Sequence, residues 1–210
     1  MLRIALTGGI ATGKSYVLAR IAAAGLPTVD ADRLVHAALA PGSPAVPLIA
    51  SRFGPGIVTS AGAVDRRALG AIVFSDDQAR RDLEAILHPH VYRVIDEWFE
   101  GLEKLRRPKG RKSESPKVHV AVADVPLLYE THHETLFDRV IVTACPRERQ
   151  LARLKERSGL SDEQARARLA AQWPIEEKMR RADYVIDTSG TFEETDRQVD
   201  EVIERLKAKG

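Results

Sequence analysis

The chain has 210 residues, and its 32 Lys plus Arg against 30 Asp plus Glu leave a formal balance of +2 with His neutral. That length suits one globular domain with small excursions, and 44% hydrophobic with 30% charged residues exclude a disordered chain or a fibrous repeat. The near-neutral balance supplies no broad field for nucleic-acid phosphates, Cys145 alone cannot close an internal disulfide, and no apolar run approaches the ~20 residues of a membrane span. Met1 to Leu6 runs straight into a glycine-rich turn, unlike a secretory signal, so a cytoplasmic protein is expected, binding neither nucleic acid nor membrane. A monomer is expected, with a homo-oligomer left open.

Short β-prone runs at Leu2 to Leu6, Pro27 to Val29, Val118 to Val122, Arg139 to Thr143 and Tyr184 to Ile186 alternate with longer helix-patterned stretches. This alternation predicts an α/β fold with a mostly parallel sheet of about five strands flanked by helices.

After the first run comes Gly8-Gly9-Ile10-Ala11-Thr12-Gly13-Lys14-Ser15, followed by an Ala- and Leu-rich helix from Tyr16 to Ala24 that Gly25 stops. This is G-x-x-x-x-G-K-S in a strand-loop-helix setting, the phosphate loop of nucleoside triphosphate-binding proteins. Glycines let successive N–H groups point into one concavity, and the next helix adds its positive dipole end there. Lys14 is expected at the β- and γ-phosphates, and the Ser15 hydroxyl on Mg²⁺.

Asp30-Ala31-Asp32 closes the second run. Residues two apart on a strand face the same way, and the carboxyl ends of such strands line the ligand crevice. Asp32 is therefore expected to accept a proton from an attacking hydroxyl, with Asp30 as helix cap or helper. Residues 31–105 are mainly helical in pattern and too long for a plain crossover, which predicts a helical insertion. Ser75-Asp76-Asp77-Gln78 reads as a capping box opening a helix, and the Pro of His88-Pro89 as a reset of the backbone between two helices. On its own, His88 reads as a structural histidine, and the remaining histidines show no zinc pattern.

Residues 104–117 hold seven basic side chains and one acidic with no apolar periodicity, the pattern of a solvated, flexible loop over 106–117. Asp124, closing the third run, is a candidate second anchor for Mg²⁺ or else a turn residue. Pro146 suits the first position of a helix in which Arg149, Arg153 and Arg157 share a face about 12 Å long at ~1.5 Å per residue. Such a face suits a lid that excludes water and offsets phosphoryl charge; a solvated face relieved by Glu148 and Glu156 is the alternative. Capping boxes at Ser161 to Gln164 and Thr191 to Glu194 predict two more helices, the last burying Val199, Val202, Ile203 and Leu206.

No Asn-Lys-x-Asp base-reading segment is present, so adenine is favoured over guanine. The residues alone leave open a small-molecule kinase, including one acting on a shikimate-like polyol, or a nucleotide-dependent switch without an acceptor.

The combination of Leu6 to Ser15, Val29-Asp30-Ala31-Asp32, Phe53-Gly54, Leu83 to Pro89, Asp124 to Glu130, Gln150 to Arg153 with Arg157, Gln172, Lys178 and Ala182 to Asp187 resembles the dephospho-coenzyme A kinase family. The resemblance implies transfer of the ATP γ-phosphoryl group to the ribose 3′-hydroxyl of dephospho-CoA, the last step of coenzyme A synthesis, with Mg²⁺. It implies a nucleotide core over 1–30 and 118–210 with a lid at about 146–181, and a CoA-binding part over 31–105. Asp32 falls on the family's base, Gly8, Gly9 and Ala11 to Tyr16 on its nucleotide loop, His88 on its substrate-binding part, and Arg153 and Arg157 on its lid cations. Two departures stand out: Ala11 occupies a position where glycine is usual, and Tyr16 one where Thr is common.

Overall fold

The computed structural model describes residues 1–106 and 119–208. The basic segment from Arg107 to Lys117, read above as a loop, lies outside the described residues. The chain forms two compact units, one of Met1–Val29 and Leu102–Gly210, the other of Asp30–Gly101.

All five expected strands form: β1 (Leu2–Gly8), β2 (Thr28–Asp30), β3 (Val120–Asp124), β4 (Arg139–Ala144) and β5 (Tyr184–Asp187), in the order β2-β3-β1-β4-β5. The β1–β3, β1–β4 and β4–β5 pairings are parallel, and Leu6 stands opposite both Asp124 and Ile141. Parallel strands covered on both faces must be apolar throughout, and β3 and most of β1 are fully buried. The register brings the carboxyl ends of β1, β3 and β4 to one edge, where ligands bind in open α/β sheets.

Helix α1 (Lys14–Ala23) and helix α9 (Phe192–Lys207) cover one face. Val17 and Ile21 of α1 and Val199, Val202, Ile203 and Leu206 of α9 join Ile4, Leu6, Ile141 and Ile186 in one cluster. Each such side chain contributes roughly 1.5–3 kcal/mol of burial, against ~0–1 for the half-exposed Arg20–Asp200 pair between the same helices. The apolar stripe, not the ion pair, docks α9. Both expected capping boxes form, at Ser161 for α7 (Asp162–Ala170) and Thr191 for α9.

The second unit is helical: α2 (Ala31–Ala38), α3 (Ala45–Phe53), a 3₁₀ turn at Pro55–Ile57, α4 (Arg66–Ser75) and most of α5 (Asp77–Arg106). Ala38, Ile49, Ile57, Val64, Leu69 and Leu87 form its core. α6 (Arg147–Ser158) and α8 (Ile175–Arg181) belong to the first unit, where Pro146 caps α6 rather than occupying its first turn.

Two local expectations are corrected. Asp76, not Ser75, caps α5: its carboxylate accepts from the amides of Gln78 and Ala79, while the Ser75 hydroxyl donates back to Ala71 and Ile72 and finishes α4. A carboxylate one residue later wins because its charge also meets the helix dipole. Pro89 does not separate two helices; α5 runs through it for 30 residues. Leu87, Val91, Ile95 and Phe99 recur every fourth residue and are all buried, so a continuous apolar stripe outweighs the missing amide. Pro89→Ala, on the exposed side of the helix, is therefore expected to stabilise the protein by about 1–3 kcal/mol. The check is a higher urea midpoint at unchanged slope.

Candidate active site

The glycine-rich loop leaves β1 at Gly8, and its shape is set from behind. A Cβ on Gly8 would stand 2.2 Å from Thr143 Oγ1 and 2.7 Å from Thr143 O, so β1 and β4 approach too closely there for any side chain. The Thr12 hydroxyl shares a 2.9 Å hydrogen bond with the Thr143 hydroxyl and lies 2.8 Å from Gly9 O. Thr188, just past β5, donates to Thr12 O at 2.7 Å. Thr12 was read as a nucleotide contact, yet its side chain is fully buried beneath the loop, leaving only its backbone for that purpose.

Ala11 and Gly13 both adopt the left-handed region, at φ 59° and 78°. Glycine does this freely; alanine bears roughly 1–2 kcal/mol of strain. Gly13 caps α1 and Lys14 and Ser15 open it, so amides and the positive helix end face the same place. Lys14 Nζ is paired with both carboxylate oxygens of Asp124, a buried residue at the end of β3. The two residues assigned separately from sequence, one to phosphate and one to metal, thus sit in direct contact.

Beside the loop is a cavity of about 550 Å³ whose lining includes Ala11, Tyr16, Arg149, Arg153, Arg157 and Phe192. The three arginines do share a face, as their spacing predicts. Arg153 is held: its guanidinium donates to Thr188 O at 2.7 Å and lies 3.7 Å from Cys145 Sγ. Burial pushes the Cys145 thiol up despite that cation. The Tyr16 ring lies 4.6 Å from Phe192, and its hydroxyl donates to Asp196 at 2.8 Å. That bond turns the phenol away from the loop and raises its pKa.

Asp30 and Asp32 belong to the second unit. The strand argument for them is corrected: β2 ends at Asp30, and Asp32 already lies in α2. Asp30 Oδ1 accepts from the amides of Asp32 at 2.9 Å and Arg33 at 3.3 Å, so Asp30 is the cap. The Asp32 carboxylate is exposed and spared that duty. His88 lies half-buried in α5.

Reasoning from single motifs missed the groups behind the loop. Gln172 Oε1 accepts from the Ile10 amide at 2.8 Å. Lys178, fully buried, pairs with Glu130 at 2.7 Å and donates to Gly8 O at 3.3 Å. Glu130 Oε1 also accepts from the Trp173 amide at 3.0 Å, and the Trp173 ring stacks on Tyr129 with centroids 6.2 Å apart. Gln172 and Lys178 were legible only through the family resemblance; Thr188 and Phe192 carried no sequence signal beyond following β5.

Known proteins resemble this chain over nearly its whole length. The family model described as dephospho-CoA kinase matches residues 2–194. A dephospho-CoA kinase of Geobacillus kaustophilus is 44% identical over 207 residues, covering 99% of this chain and 98% of the relative. A dephospho-CoA kinase structure from Campylobacter jejuni superposes with a TM-score of 0.72 at 29% identity, covering 99% and 98% of the two chains. A Thermus thermophilus crystal structure gives 0.74 at 34% identity, covering 98% and 97%.

Two outcomes follow for the residues around the loop. Ala11→Gly is expected to be tolerated within about 0.5 kcal/mol, whereas Ala11→Val, β-branched at positive φ, is expected to cost about 2 kcal/mol and weaken ATP binding. Urea unfolding with calorimetric titration of ATP checks both. Tyr129 is 1% exposed, and burial first, then the Glu134 and Asp183 carboxylates, push its phenol up to about 12, with Arg181 opposing. Below pH ~10 the phenol is protonated folded and unfolded; above it only the unfolded chain releases the proton, so stability falls as pH rises toward 12. Between pH 10 and 11 the protein is expected to lose about 1 kcal/mol more than Tyr129→Phe, measured by urea midpoints at each pH.

Proposed function

The chain belongs to the dephospho-CoA kinase family and is an ATP-dependent kinase, and we propose that it transfers the ATP γ-phosphoryl group to the ribose 3′-hydroxyl of dephospho-CoA through the residues assembled above. The observation that most directly supports this division of labour is the loop at the carboxyl edge of the sheet, with Lys14 and Asp124 in contact at its mouth.

In this reading the amides of Gly8 to Tyr16 bind the phosphates, and the α1 dipole favours their charge. Lys14 follows the β- and γ-phosphates as a point charge. Arg153, fixed on Thr188, and Arg157 offset charge that builds on the transferring group. Asp32 accepts the proton of the attacking hydroxyl and orients its oxygen, and His88 contributes to the acceptor's binding.

The donors present suit Mg²⁺: a carboxylate at Asp124 and a hydroxyl at Ser15 are hard oxygen ligands, and Mg²⁺ characteristically takes one or two from protein and the rest from water and phosphate. Asp124 and Ser15 would hold it, and it would supply neutralisation of phosphate charge. No described helix is long and apolar enough to cross a membrane; we place the enzyme in the cytoplasm, acting as a monomer.

Purified protein with ATP, Mg²⁺ and dephospho-CoA is expected to form CoA and ADP together, followed by chromatography. Folded, ATP-binding protein that forms no CoA would overturn the assignment. Asp32→Asn is expected to bind ATP normally and lose ~10²–10⁴-fold in kcat. Asp30→Ala is expected instead to cost about 1 kcal/mol of stability, as loss of a cap does.

A further inference from the structure

Lys178 is a charged group that the mechanism above does not use. Its side chain is fully buried, and its ammonium reaches three acceptors on two segments: Glu130 Oε1 at 2.7 Å and Pro126 O at 3.5 Å in the turn after β3, and Gly8 O at 3.3 Å. A buried ion pair is a poor way to gain stability, since desolvation consumes several kcal/mol per ion and an apolar side chain of similar volume often does as well. Burial indeed lowers the Lys178 pKa, with Lys14 adding to the effect and Glu130 opposing it. What the ammonium provides is geometry. Gly8 begins the phosphate loop, Pro126 lies two residues past Asp124, and Glu130 also receives the Trp173 amide. Two residues past Gly8, Gln172 receives the Ile10 amide. The stretch 172–178 therefore grips the loop at two points.

We propose that Lys178 is a positioning residue: it sets the stance of the phosphate loop, and hence of Lys14, against Asp124, and with Gln172 makes the loop and the stretch 172–178 move as one. This rests on the functional reading above, because that reading makes the loop the phosphate site.

Trp98 and Trp173 are the two tryptophans, so in a Trp98→Phe background Trp173, next to Gln172, reports on the stretch by its emission. The parent is expected to change emission on adding ATP and to turn over normally. Lys178→Met leaves the Glu130 carboxylate buried without its cation, so a charge-balanced Glu130→Gln/Lys178→Met variant is made beside it, and Gln172→Ala removes the second grip alone. The double variant is expected to unfold near the parent's urea midpoint and bind ATP within about threefold, yet lose ~10–100-fold in kcat, the scale of a misplaced reacting group. Its Trp173 emission is expected not to answer ATP. Gln172→Ala is expected to move kcat and emission the same way by less. Parental kcat in the double variant, a kcat loss matched by lost ATP affinity, or a parent whose Trp173 emission ignores ATP overturns the proposal. A parent that binds ATP with the emission change but makes no CoA overturns the assigned reaction instead.

Discussion

Main-chain amides that converge on one point repel one another and cannot satisfy each other, so a phosphate loop needs an external frame. Here that frame reaches it from behind, through the Thr143 and Thr12 hydroxyls, the Thr188 hydroxyl on Thr12 O, the Gln172 carbonyl on the Ile10 amide and the Lys178 ammonium on Gly8 O. These groups at the back of the loop are each bonded to a neighbouring element, which commits the rest of the loop to one curvature. Gly8 closes the arrangement by contact: β4 stands so near that only a hydrogen atom fits.

The frame is rigid because its anchors grow from the sheet. Thr143 lies in β4, Asp124 ends β3 and Thr188 follows β5, and the packing of Ile4, Leu6, Ile141 and Ile186 against α1 and α9 fixes those strands. Burial energy supplies the stiffness, while hydrogen bonds of ~0.5–1.5 kcal/mol apiece select the conformation. The strain at Ala11 is tolerable for the same reason. A residue held by neighbours on both sides can sit in a disfavoured region at roughly 1–2 kcal/mol.

How much of this was legible depended on the range of the interaction. Five apolar runs became five strands, two capping boxes became two helix starts, and three arginines at four-residue spacing became one face of a cavity, because each signal is complete within a few residues. Competition between neighbours was harder to read: Asp76 displaced Ser75 as a cap by one position, and the stripe from Leu87 to Phe99 carried α5 through a proline. Contacts across most of the chain, such as Gln172 to Ile10 or Lys178 to Gly8, leave no local pattern at all. A lysine among Glu177, Met179 and Arg180 looks like any solvated helix residue until the fold buries it.

The two aspartates at the junction of β2 and α2 show how one local interaction can separate two like side chains. Both are acidic, two residues apart and at the start of one helix, where a single carboxylate suffices to satisfy the exposed amides. Asp30 has the extended backbone that a cap requires, with φ −113° and ψ 115°, and it takes two amides with one oxygen. Asp32 follows it in helical geometry, so its own side chain cannot turn back on those amides and projects outward instead. A base must be exposed to its substrate and unencumbered by strong bonds that hold its lone pairs. The capping bond therefore does more than start α2: by using one carboxylate structurally, it leaves the Asp32 carboxylate exposed, as the proposed base requires, and fixes the backbone from which that group extends.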